Sequence, residues 1–320
     1  MEREAGPKGD WHRDLVEKLA RDALTERRRA RRWGIFFKLL TFAYLLAVFI
    51  VLVPEEWSEE GIGKKPHTAV VDLEGLIAVG EKASADNVIT GLRDAFEDEN
   101  TKAVILRINS PGGSPVQSSY MYKEILRLRE KYPDVPLYAV VSDICASGGY
   151  YVASAADRIY VNESSVIGSI GVLMNGFGFV EAMNEFGVER RLIAAGKHKG
   201  ILDPFSPMSE FDKEYATRLL GKLHETFIAA VKTGRGDKLK GEDGEIFSGL
   251  FWDGQEGIEL GLADAIGNTS YVAREVVGVE KTVDFTAKED PFERLARRFG
   301  AATGEALIRV LGSDNNLLLR

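Results

Sequence analysis

The sequence predicts an α/β domain carried behind one long apolar helix. Short continuous apolar runs, AVILRI (103–108), PLYAVVS (136–142) and RIYVN (158–162), are of the kind buried in a parallel sheet. Between them lie stretches with helical spacing of apolar residues, so strand and helix alternate along the chain. Ahead of both, Gly34 to Pro54 reads GIFFKLLTFAYLLAVFIVLVP, with Lys38 as its only charge.

The composition sets the bounds. With 320 residues and 45% hydrophobic side chains, the chain is globular and not disordered. The net charge of -8 is uneven, because residues 1–33 carry ten Lys and Arg against seven Asp and Glu. The acidic remainder argues against a nucleic-acid partner. Cys145 is the single cysteine, which excludes an intrachain disulfide framework and any zinc site built on several thiolates.

Taken in order, the run 34–54 makes a helix of about 30 Å, the thickness of a bilayer's hydrocarbon core. Lys38 lies near one end, where it can snorkel to the head groups. Arg27, Arg28, Arg29, Arg31 and Arg32 precede the run, and Glu55, Glu56, Glu59 and Glu60 follow it. That asymmetry predicts a transmembrane anchor with residues 1–33 as a cytoplasmic basic tail. A cleaved secretory signal fits less well, since the preceding region is too long and no A-x-A-like site follows. The rest of the chain is then expected outside the cytoplasm, on the periplasmic side of a bacterial inner membrane where two membranes exist.

Residues 55–66 suit a short tether, and a folded domain is expected over 67–285. Within it, TAVVDLEGLIAV predicts a strand with a turn at Glu74-Gly75, followed by helices over 86–97 and 116–131. The small residues of CASGGYYVASAAD suit a tightly packed helix. Later stretches predict a helix near 179–186, a strand RRLIAA (190–195), a long amphipathic helix over 211–233, and a closing strand and short helix in 249–267. An amphipathic, charged C-terminal tail occupies 286–320.

Ser147 follows an apolar strand and opens a helix, in Ala146-Ser147-Gly148-Gly149. There a nucleophile gains from exposed N–H groups and the positive end of the helix dipole, although a plain N-cap is the commoner role for such a serine. Ser110-Pro111-Gly112-Gly113-Ser114 sits in the same context, and its glycines free backbone N–H groups to meet a developing oxyanion. No Gly-Lys-Ser/Thr follows, so a phosphate loop is a poor alternative; a plain turn is the other. A serine nucleophile needs a base. Of His12, His67, His198 and His224, only His198 lies in a glycine-rich loop, between Lys197 and Lys199, and His224 reads as a helix-surface or packing residue. A lysine serves as base where burial favours its neutral form, and a nearby hydroxyl such as Ser169 can orient the amine.

Together these residues resemble the signal peptide peptidase SppA family. The resemblance rests on INSPGGS (108–114), ASGGYY (146–151), IGSIGV (167–172), GKHKG (196–200) with PMS (207–209), and WDGQEGIELGLADAIG (252–267), in this order across most of 68–267. It implies a crotonase and Clp-protease-like fold of stacked ββα units. It implies Ser147 as nucleophile, Lys199 as general base, Gly113 and Gly148 as oxyanion donors, and Ser169 as the residue that orients the lysine. IGSIGV, with Ile167, Gly168, Ile170, Gly171 and Val172, would line the substrate groove and pair with an extended peptide. The family often has an aromatic residue before the lysine where this chain has His198, so the candidate bases rank Lys199, His198, Lys197. The length matches the family's short, single-catalytic-domain form, which implies a homo-octamer whose Ser/Lys dyad is completed between neighbours. The implied substrates are hydrophobic peptides, chiefly remnant signal peptides, and no metal or cofactor is implied.

Three alternatives compete. A Clp-type triad would place its histidine about 25 residues after the serine, and IGSIGVLM holds none. A crotonase-like acyl-CoA enzyme could use Gly113 and Gly148 without a nucleophile. A catalytically silent membrane scaffold or peptide-binding protein would use the fold for assembly alone.

Overall fold

The computed structural model describes residues 10–52 and 65–287. Residues 1–9, most of the expected tether and the tail from 288 lie outside the described residues. Helix α1, Asp10–Leu52, is continuous through Trp33 and Gly34, where a basic tail was expected to give way to an anchor. Among the described residues no helix is long and apolar enough to cross a membrane. The side chains of residues 47–52, in the apolar part of α1, and residues 53 and 54 are not among them.

The described residues 65–287 belong to a compact unit of their own. Its first half alternates β1 (His67–Glu74), α2 (Ala85–Glu97), β2 (Thr101–Ser110), α3 (Pro115–Lys131), β3 (Leu137–Ala146), α4 (Gly148–Ala153), β4 (Arg158–Val161) and β5 (Val166–Gly168). The second half holds α5 (Val180–Glu185), the long α6 (Glu210–Arg235), α7 (Asp243–Ile246), β6 (Phe251–Trp252), α8 (Gly254–Glu259), β7 (Ala265–Ile266) and β8 (Thr282–Asp284). Among the described residues, eight strands form one sheet in the order β6-β5-β3-β2-β1-β8, with β4 joining β3 to β7. Only the β5–β6 pair is antiparallel, so the expected mixed α/β architecture is observed.

The apolar strands are buried on both faces, as a parallel sheet requires. Val104, Leu106 and Ile108 of β2 point into the larger core with α2 and α3, while Ile105 joins Val70, Val140, Tyr160, Val272 and Ala273 on the other side. Strand β3 forks: Tyr138–Val140 pairs with β4, and Ile144–Ala146 pairs with β5. The fork follows a register shift against β2 between Ile108 and Ser110, and it directs the end of β3 toward the helix that starts after Ser147.

One expected strand is absent. RRLIAA (190–195) has no regular structure; Leu192 and Ile193 are exposed. A strand needs a free edge to pair with, and the edge of β5 nearest in sequence is taken by β6. The other helices fall where apolar spacing put them. Helix α6 starts on a capping box, the Asp212 N–H donating to Ser209 Oγ and the Ser209 N–H to Asp212 Oδ2, both at 3.2 Å.

Candidate active site

Ser147 is the single residue between buried β3 and buried α4. Its backbone, at φ 50° and ψ -121°, lies where side-chain-bearing residues rarely go. The Ser147 N–H donates to Gly168 O at 2.8 Å and its carbonyl accepts from Tyr151 N at 2.9 Å, so both flanks hold the strain in place. Its side chain makes no capping hydrogen bond to α4, which removes the plain N-cap alternative. Instead Ser147 lines a cavity of about 800 Å³.

Gly112 and Gly113 line the same cavity. Ile77 clamps their loop, donating its N–H to Gly112 O at 2.9 Å and accepting from Ser114 N at 2.7 Å. A Cβ on Gly113 would overlap the Ile77 carbonyl, and one on Gly148 would stand 2.5 Å from Ser118 Oγ and 3.2 Å from Gly113 N. The two glycine loops therefore pack backbone on backbone, an approach that side chains would block. Among the described residues, no hydrogen bond takes up the N–H of Gly113 or of Gly148. Two such donors beside a serine are the arrangement that stabilises an oxyanion.

The cavity is mainly apolar. Tyr151 and Phe227 stack at 4.9 Å between ring centroids, and Val116, Tyr120, Val172 and Leu223 add to its lining. Cys145, two residues before the serine, is buried in the core, where burial pushes its thiol far up and leaves it inert.

The stretch expected to form the groove divides between cavity and core. Ser169, Gly171 and Val172 line the cavity, whereas Ile167 and Ile170 are fully buried and Gly168 packs against the Trp252 ring. Strand β5 is paired on both edges, by β3 and β6, so within one chain only the residues beyond Gly168 are left to meet a peptide. Ser169 has φ 52°, and its N–H donates to Leu250 O at 2.6 Å.

Lys199 does not line the cavity. It is exposed, in a turn closed by its N–H on Gly196 O at 3.1 Å, and the neighbouring His198 ring stacks on Phe211 in the first turn of α6. The structure thus gathers Ser147, Gly113, Gly148 and Ser169 in one place and leaves Lys197, His198 and Lys199 elsewhere. It also brings in His224, whose Nε2 lies 2.9 Å from the Ile170 carbonyl. Nothing in the sequence marked that contact, which joins residues 54 apart.

Comparison with known proteins gives the family. The profile of peptidase family S49 matches residues 129–283. A Synechocystis sp. protein that carries the name of a protease is 31% identical over 257 residues, 78% of this chain and 87% of that one. The chain belongs to peptidase family S49. An Enterococcus faecium protein bearing the name signal peptide peptidase SppA is 28% identical over 245 residues, 74% of this chain and 70% of that protein. Another similar stretch, 41% identical over 214 residues, lies in a Brucella abortus protein named Na(+)/H(+) antiporter NhaA; it covers 65% of this chain, which spans only 29% of that relative. The profile match contains Ser147, the cavity residues of α6 and the Lys199 turn, while the Gly112-Gly113 loop precedes it.

Proposed function

We propose that this S49 peptidase is a membrane-anchored endopeptidase that cleaves extended hydrophobic peptides, chiefly remnant signal peptides, with Ser147 as nucleophile and Lys199 as general base. The observation that carries the proposal is Ser147 held beside two unclaimed backbone donors, Gly113 and Gly148. Ser147 Oγ adds to the scissile carbonyl as its proton passes to the Lys199 amine, and the resulting oxyanion accepts from the two N–H groups. Collapse of the adduct breaks the C–N bond, and the lysine returns the proton to the departing amine. Water then adds to the acyl-enzyme, giving one proton to Lys199, and release of the acid regenerates Ser147. Ser169, lining the same cavity, orients the lysine. The apolar lining favours hydrophobic side chains over charged ones.

Because Lys199 is remote from the cavity of its own chain, a neighbouring copy is the proposed source of the base, in a ring of eight. Supporting this, residues 171–211 leave Leu173, Phe177, Phe186, Ile193 and Met208 exposed, and α6 adds an exposed stripe of Phe211, Tyr215, Leu219 and Leu223. Exposed large apolar residues in this number favour an interaction face. The anchor is proposed on the apolar run 34–54 and the arginines before it, a charge asymmetry that supports a catalytic unit outside the cytoplasm.

The test is hydrolysis of a panel of hydrophobic peptides, including a synthetic signal peptide, by the full-length chain beside Ser147→Ala and Lys199→Ala. Cleavage by wild type alone supports the Ser/Lys assignment. Robust turnover in Lys199→Ala overturns it, and an inert, folded and assembled wild type favours a silent scaffold.

A further inference from the structure

The Ile170 carbonyl belongs to a fully buried residue between Ser169 and Gly171, both of which line the cavity. His224 reaches it from α6, where Leu223, Thr226 and Phe227 form the facing wall. Since a carbonyl oxygen only accepts, Nε2 of His224 carries the proton and donates it. One side chain of α6 thus ties Ile170 O between two of the segments that line the cavity. The segment is otherwise held by the Ser169 N–H on Leu250 O and the Gly171 N–H on Ser169 O, neither of which reaches α6. It has left the sheet at Gly168, it turns through the strained Ser169, and Gly171 offers no side chain to pack.

We infer that His224 is a positioning residue that sets the width of the peptide cavity, and through it the size of the apolar side chain accepted beside Ser147. This rests on the peptidase function proposed above. With the tie in place the wall of Ser169, Gly171 and Val172 stands at a fixed distance from Leu223 and Phe227. Without it the wall is held less firmly against α6, and bulky residues are less strongly refused. The role is directional: glutamine can present an N–H near the place of Nε2, whereas leucine fills the space without a donor.

The experiment compares the full-length wild type, His224→Leu and His224→Gln on two peptides that differ only in alanine or phenylalanine before the scissile bond. The readout is the ratio of their kcat/KM values. A net hydrogen bond implies a shift of about 3- to 10-fold toward phenylalanine in His224→Leu, with His224→Gln restoring the ratio to within about twofold of wild type. A merely structural role lowers both peptides together and leaves the ratio fixed, which overturns the inference. The affinities of the same two peptides are measured by fluorescence anisotropy on Ser147→Ala, alone and combined with His224→Leu. If wild type cleaves neither peptide the peptidase function fails, and the affinity ratio then decides His224 by itself. An unchanged affinity ratio, or no binding, overturns the role of His224.

Discussion

His198 lies face to face with Phe211, their ring centroids 4.2 Å apart and their planes 20° from parallel. The stack fixes the Lys199 turn to the first turn of α6, while Leu223 and Phe227 of the same helix line the cavity. At the helical rise these places are separated by about 18–24 Å along the axis, beyond the reach of a lysine side chain. This separation supports the proposal that Ser147 and its base come from different copies. Co-expressed and co-purified, Ser147→Ala and Lys199→Ala chains should regain activity, since about a quarter of the neighbouring pairs combine an intact serine with an intact lysine. If both groups acted within one chain, the mixture would be as inert as either variant alone, and peptide turnover in the mixed preparation decides between them.

The same stack separates the roles of His198 and Lys199. His198→Phe keeps an aromatic face on Phe211 and should hold kcat/KM to within about twofold of wild type, whereas His198→Ala should lower it by about 10-fold. Neither change removes the proposed base, Lys199. Abolished turnover in His198→Phe, with wild-type assembly, would make the imidazole the proton acceptor instead.

Gly113 combines an unclaimed N–H with a position that admits no side chain. In Gly113→Ala the added carbon must displace the Ile77 carbonyl, which moves the donor away from the oxyanion. The expected loss is about 100-fold or more in kcat, with KM changed little, because the donor acts on charge that exists only after attack. Steady-state kinetics at a temperature where the variant remains folded measure the split.

Much of this was legible in the sequence because the signals were local. The buried strands were continuous apolar runs, α6 carried its stripe and its Ser209 cap, and Ser147 stood where a strand meets a helix. RRLIAA misled because a short apolar run reports burial potential without reporting whether a sheet edge is free; here Ile193 is left exposed. The groove stretch was expected to pair with an extended peptide, whereas β6 covers part of it from more than 80 residues downstream. His224 was invisible for the same reason. Its partner is a backbone carbonyl, which has no residue identity to read.

Glu124 gives a pH-dependent test of the packing of α2 on α3. It lies on α3 between two guanidiniums, accepting from Arg93 Nε at 2.7 Å and from Arg127 Nε and Nη2 at 2.9 and 2.7 Å. The Arg127 hydrogen bond, opposed by burial and aided by Arg93, holds the Glu124 carboxyl down at about 2. A carboxyl with a depressed folded pKa stabilises the fold above its unfolded value, and that contribution fades as pH falls from about 4.3 toward about 2. Both arginines are half exposed, at 52% and 50%, so screening limits the effect. Wild type should exceed Glu124→Gln in stability by about 1–2 kcal/mol at neutral pH. Thermal midpoints of the two proteins measured across the acid range should converge toward the lower end. A gap that stays constant down to the lowest pH would mean that the carboxylate's charge is not the source of the stability.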